Sequence, residues 1–201
     1  MSNRRPRAGR ALVGVMDHAG WAVLITVRPP GALLDRRRVA LTEAGLPVMP
    51  HHHEGQRLEL AKAVALVRQV ERSAQRCSEA ALSTLAAELG VEPTGIALRV
   101  CPPLPGTVEA RIQNYRAMCV ADWVMYRRAL AAAATARGWA VHWYEPKQAL
   151  DEADRVLGGT LKQHLAAARA EAGAPWQKDH QLAMAAAIAA SKTRRRPATR
   201  R

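Results

Sequence analysis

The sequence predicts an α/β domain: a five-stranded mixed sheet with helices on both faces. Three observations carry that prediction. The first 42 residues hold three runs of strand length separated by turn chemistry. From Glu54 onward the apolar spacing shifts to three and four residues, and long helical stretches alternate with two short β-rich runs, the pattern of crossover units that cover a sheet. The length, 201 residues, suits one domain around one core.

Each element has its own signal. Ala11-Leu-Val-Gly-Val-Met-Asp17 is an apolar run ending on an acid, and His18-Ala-Gly20 supplies a turn into the apolar, β-branched run Trp21-Ala-Val-Leu-Ile-Thr-Val27, so the two predict a hairpin. Arg28-Pro-Pro-Gly31 turns again, into a third strand from Leu33 to Thr42 whose Arg36-Arg-Arg38 suits a sheet edge. Pro47 to His53 reads as a loop. Leu60, Val64, Val67, Ala74, Cys77, Ala81, Leu85 and Leu89 then mark one long amphipathic helix, or two abutting ones, closed by Gly90. Gly95-Ile-Ala-Leu-Arg-Val-Cys101 is a short central strand stopped by Pro102 and Pro103. Thr107 is a candidate N-cap for a helix whose stripe runs through Val108, Ile112, Tyr115, Cys119, Trp123, Tyr126 and Leu130 to Gly138. Trp139 to Tyr144 is the fifth strand. Two further helical stretches follow, Gln148 to Ala172 with a break at Gly158-Gly159, and the alanine-rich Gln177 to Ser191.

Charge divides the chain. There are 30 Lys and Arg against 17 Asp and Glu, a formal charge of +13. Residues 1–10 hold four arginines and residues 192–201 six basic residues, and neither arm holds an acid. These arms read as disordered and basic, leaving a nearly balanced domain at 11–191. Arginine-rich arms suit a polyanion, most simply nucleic acid, because each cation laid on a phosphate releases condensed counterions; solubilising tails in an arginine-rich composition are the alternative. No run approaches the ~18 apolar residues of a membrane span, and no apolar stretch with a cleavage site follows the first arginines, so neither a membrane nor secretion is expected. Cys77, Cys101 and Cys119 fit neither a disulfide framework nor a zinc knuckle, and predict buried thiols in a cytoplasmic protein.

Three places resemble a known family. Gly14-Val-Met-Asp17 followed by Gly20-Trp-Ala-Val23 is similar to the opening of the RuvC-type Holliday-junction resolvases, within the ribonuclease H-like superfamily, where a catalytic aspartate ends the first strand. Trp143-Tyr-Glu-Pro146-Lys147 followed by Gly158-Gly-Thr-Leu-Lys162 resembles that family's fifth strand and the helix that touches nucleic-acid backbone. Lys178-Asp179-His180 leading into an alanine-rich helix resembles its last helix, whose first turn carries another catalytic acid. The resemblance spans roughly residues 11–191. It implies a ribonuclease H-like order of three meandering strands and then alternating helices and strands, and a metal-dependent phosphodiesterase. Two Mg²⁺ or Mn²⁺ ions would be held by Asp17 and Asp179, with Glu145 and His180 as further catalytic candidates. Lys147, Lys162, Lys178, Arg194, Arg195 and Arg196 would position nucleic acid.

The sequence also departs from that family. Where its second acid should end the fourth strand stand Leu98-Arg99-Val100-Cys101, and the position three residues after Asp179 is Leu182. A metal pair would then need Glu54, Glu59, Glu109 or Glu145 to move in. Asp17 as a turn cap and Asp179 as a helix N-terminal acid are equally open readings. His51-His-His-Glu54 reads as a solvated loop rather than a metal cluster, Cys101 as a structural residue rather than a nucleophile, and Gly158-Gly159 as a helix break. The aromatic residues Trp123, Tyr126, Trp139, Trp143 and Tyr144 fall mostly at core spacing, which does not indicate base stacking. Two functions follow: a metal-dependent nuclease acting on structured DNA or RNA, or a catalytically degenerate nucleic-acid-binding accessory protein on the same fold. A nucleotide- or protein-binding domain is a third. A homodimer stays open, and no small-molecule cofactor is expected.

Overall fold

A computed structural model describes residues 10–192. The two basic arms, with Arg194, Arg195 and Arg196, otherwise lie outside the described residues. Five strands form one mixed sheet: β1 (Leu12–His18), β2 (Trp21–Arg28), β3 (Ala32–Ala40), β4 (Gly95–Arg99) and β5 (Ala140–Tyr144). Their order across the sheet is β3-β2-β1-β4-β5. The meander β1-β2-β3 is antiparallel, while β4 and β5 run parallel to β1. Among the described residues there are also six α-helices: α1 (Leu60–Leu89), α2 (Val108–Gln113), α3 (Tyr115–Ala136), α4 (Ala149–Val156), α5 (Leu161–Ala172) and α6 (Lys178–Ala190). The fold class and element order therefore match the sequence reading.

The sheet separates two cores, and the strand period of two assigns residues to each. Val13, Val15, Ala22, Leu24, Ile96 and Leu98 face α1 and α3. Leu12, Met16, Val23, Ile25, Val27 and Ala97 face α4, α5 and α6. α6 is buried over most of its length because alanines let its backbone lie directly on the strands. The tightest point is Gly14, where an added Cβ would stand 1.8 Å from the Ala183 carbonyl oxygen. Strand and helix thus meet backbone to backbone.

Several local expectations are corrected. The second long helix is two, because Asn114 is extended and caps α3 with its side chain, accepting from the Ala117 N–H at 3.0 Å. Tyr115, placed on the apolar stripe, is 73% exposed, and Trp143, placed in the core, is 48% exposed. The three cysteines are half-buried rather than buried. His51 does not sit in a solvated loop. It is fully buried, its backbone N–H and its Nδ1 lie 3.0 and 2.8 Å from Asp122 Oδ1, and the His52 N–H donates to Asp122 Oδ2 at 3.1 Å. A buried carboxylate in the middle of α3 is thereby satisfied by the loop that crosses it, and that pairing pins residues 49–53 to the domain.

Gly14→Ala should overpack this contact and lower stability by about 1–3 kcal/mol. Urea unfolding of the two proteins measures it, and an unchanged midpoint would show that α6 can lift away.

Candidate functional site

At the carboxyl end of the sheet the ladder between β1 and β4 opens. Its register runs from Leu12–Gly95 to Gly14–Ala97 and goes no further, while the Ala11 carbonyl at its start accepts from the Thr94 N–H at 2.8 Å. Two carbonyls beyond the opening are satisfied by side chains instead. The buried Tyr144 hydroxyl donates to the Val15 oxygen at 2.8 Å, and Arg99 Nη2 donates to the Asp17 oxygen. Burial pushes the Tyr144 phenol well above its ordinary range, so it stays a donor.

Asp17 lies in this opening, 1% exposed. Both of its carboxylate oxygens are taken by arginines. From the end of β4, Arg99 donates through Nε to Oδ1 at 3.0 Å and through Nη2 to Oδ2 at 2.8 Å. From α3, Arg127 donates through Nη2 to Oδ2 at 3.0 Å and through Nε to Oδ1 at 3.2 Å. Arg127 also donates through Nη1 to the Val100 carbonyl at 2.7 Å, so the same guanidinium ties down the segment after β4. Burial raises the affinity of the Asp17 carboxyl for its proton, but the hydrogen bonds and charges of the two arginines outweigh it and hold the carboxyl below its usual range.

Asp179 takes a different hydrogen-bond partner, although its charge acts on Arg99 and Tyr144 of this cluster. Strand alternation sends His18 to the α6 side of the sheet, and there His18 Nε2 stands 2.9 Å from Asp179 Oδ2. The His18 ring is stacked on Trp21 at 4.0 Å between centroids and 8° between planes. His180, one residue on, accepts the Gln177 N–H at its Nδ1 at 3.1 Å, which caps the start of α6, and its ring stacks on Trp176. Burial and the charge of Arg36 lower the His180 pKa. Glu145 is exposed after β5, and Lys147, Lys162 and Lys178 are exposed at a loop, on α5 and at the first turn of α6. Of the other candidate acids, Glu59 lies 3.8 Å from Lys62 and Glu109 3.4 Å from Arg68, while Glu54 opens a short 3₁₀ turn.

These residues do not fit a divalent metal pair. Such a pair needs several converging carboxylate oxygens with free lone pairs. Here the Asp17 carboxylate is saturated by two cations, Asp179 faces His18, and no group of three or more His, Cys, Asp or Glu side chains among the described residues could hold a metal ion. As they stand in this structure, Asp17 and Asp179 do not offer the open, converging oxygens that Mg²⁺ or Mn²⁺ would need. Sequence reasoning noted Arg99 as the departure from the acid, but it missed Arg127. Arg127 carries no motif, and its only signal is a cation on the buried side of an apolar helix.

No family model matches the chain, and no curated protein matches it in sequence. Among solved structures, it is similar to T. thermophilus RuvC in complex with Holliday junction substrate, with 15% identity, a TM-score of 0.50, and coverage of 90% of this chain and 92% of that one. A second Thermus thermophilus RuvC structure aligns with 15% identity, a TM-score of 0.47, and coverage of 90% and 93%. The first likeness establishes the fold alone: the chain folds in the same arrangement as that RuvC domain. No described helix is long and apolar enough to cross a membrane.

Removing one partner of a buried ion pair strands the other. Asp17→Asn should therefore cost about 3–5 kcal/mol at neutral pH, measured by urea unfolding. The pH dependence follows from the depressed carboxyl. The folded protein binds fewer protons at this site than the unfolded chain, so its contribution is full above the ordinary carboxylate range and disappears as pH falls through the lowered value. Unfolding of wild type and Asp17→Asn should converge in stability between neutral and strongly acidic pH. A gap that stays constant would show that the pair is not linked to protonation.

Proposed function

We propose that this protein binds nucleic acid on a RuvC-like fold without cutting it. The observation that carries the proposal is the saturation of Asp17 by Arg99 and Arg127, which puts positive charge where a metal-dependent phosphodiesterase needs open carboxylates. Binding is supported by two features. Ten of the thirty basic residues lie in the two acid-free arms, and Lys147, Lys162 and Lys178 are exposed on loop and helix positions. Positive charge of this kind gives sequence-tolerant, salt-dependent association. In this reading Asp17 is structural: it holds β1, β4 and α3 together at the end of the sheet where a substrate would lie. Lys147, Lys162, Lys178 and the arm residues Arg194, Arg195 and Arg196 contact phosphates, and Glu145, Asp179 and His180 have no catalytic part. A structured nucleic acid such as a four-way junction is the preferred class, by analogy with the solved relative's substrate.

The test uses the full chain with labelled four-way DNA, linear duplex and RNA in the presence of Mg²⁺ or Mn²⁺. Binding should weaken steeply with salt, deletion of residues 1–10 and 192–201 should remove most of the affinity, and the substrates should stay intact. Metal-dependent cleavage that disappears in Asp17→Asn would restore the nuclease reading and overturn this one.

A further inference from the structure

Three consecutive arginines on the edge strand β3 have different fates. Arg37 is closed by acids, donating to both oxygens of Asp35 at 2.7 Å and lying 2.8 Å from Glu88 Oε2. Arg36 is spent on backbone, donating to the Gly173 and Pro175 carbonyls at 3.0 and 2.6 Å. Arg38 has neither an acid nor a carbonyl among the described residues. It is exposed, and its guanidinium carbon stands 3.9 Å from the centroid of the Trp21 ring. An arginine laid on an aromatic face has lost side-chain freedom while keeping all its donors available, which is the arrangement that favours recognition of a phosphate.

Trp21 is itself held. Its other ring contact is His18, its cross-strand partner in the β1–β2 hairpin, and His18 is fixed by Asp179. Register places Arg38 opposite Val23, one inward-facing position along from Trp21, so that Arg38, Trp21 and His18 share the α6 side of the sheet. Following the strand order β3-β2-β1-β4, the carboxyl end of the sheet therefore presents Arg38, Trp21, His18 and Arg99 on four neighbouring strands. Adjacent strands are ~4.8 Å apart, so the row is about 14 Å long, the span of two to three phosphates along one strand. Arg99 at one end keeps 24% of its side chain accessible while bound to Asp17, and Lys178 is exposed in the first turn of α6, beside Asp179.

We propose that this row is the seat of a nucleic-acid backbone, with Arg38, preorganised on Trp21, as the principal phosphate contact and Trp21 and His18 as its positioning residues. The proposal rests on the nucleic-acid-binding reading above and goes further by naming where the folded domain grips the strand. The ligand chemistry is a phosphodiester backbone, and DNA and RNA are distinguished by the arms of the experiment.

The experiment measures affinity of the full chain for labelled four-way DNA and for a single-stranded RNA across a salt series, for wild type, Arg38→Gln and Arg128→Gln. Arg128 is an exposed arginine of α3 that matches Arg38 in charge but lies away from the row. Arg38→Gln should weaken binding about tenfold at physiological salt and reduce the salt slope by about 0.7–0.9, the value of one phosphate contact. Arg128→Gln should leave both within about twofold of wild type. Trp21→His, which keeps a ring beneath Arg38, should retain more affinity than Trp21→Leu, with urea unfolding used to confirm that both fold. Equal losses at Arg38 and Arg128, or no loss at Arg38, would overturn the seat. Absence of any binding by wild type would instead overturn the nucleic-acid reading on which it rests.

Discussion

A carboxylate with 1% exposure has to be compensated where it stands, and the way Asp17 is compensated organises the whole carboxyl end of the sheet. A single charge of this kind, left bare, would cost several kcal/mol or take up a proton. The chain answers it with two guanidinium groups from different elements. Arg99 brings the end of β4 to β1 after their backbone ladder has opened, and Arg127 brings α3 and, through the Val100 carbonyl, the segment that follows β4. One acid thereby joins four pieces of chain: β1, the end of β4, the segment after it and α3.

The opposite face depends on a steric constraint rather than an electrostatic one. Gly14 admits the Ala183 backbone, and this sets the height of α6 against the sheet. That height brings Asp179 to His18, the residue of β1 that points toward α6, whereas Asp17 shares its face of the strand with Val13 and Val15, which pack toward α1 and α3. Two acids that the sequence places at matching ends of a strand and a helix thus take different hydrogen-bond partners, although Arg99 feels the charge of both. Each acquires a partner of its own: arginines for one, a histidine stacked on tryptophan for the other.

This explains what could and could not be read in advance. Strand alternation, the Gly90 stop, the Thr107 cap and the alanine-rich last helix are local signals, and they gave the element order and the mixed sheet. The ribonuclease H-like resemblance at Asp17, Gly20-Trp21 and Asp179 was legible for the same reason, since it resides in short runs. The site was not, because its decisive groups come from distant positions. Arg127 lies 110 residues from Asp17, and nothing in the α3 stripe marks it. His51 reads as loop until Asp122 is placed over it, 71 residues away. Asn114 breaks a stripe that hydrophobic spacing alone would carry through.

An arginine pair and a metal pair carry the same sign of charge but offer different chemistry. A guanidinium supplies positive charge at the end of the sheet, which a phosphodiester favours, and it supplies fixed planar donors. It cannot lower the pKa of a bound water toward neutrality as a divalent ion does, nor can it accept or release a proton near neutral pH. Under the proposed reading, Arg99 and Arg127 supply the sign of field that suits a nucleic-acid backbone but no source of hydroxide. Arg38 on Trp21 extends the same sign outward along the edge. Attraction and hydrolysis, which one set of ions would provide together, draw on different groups here, and under the proposed reading the residues present supply the first.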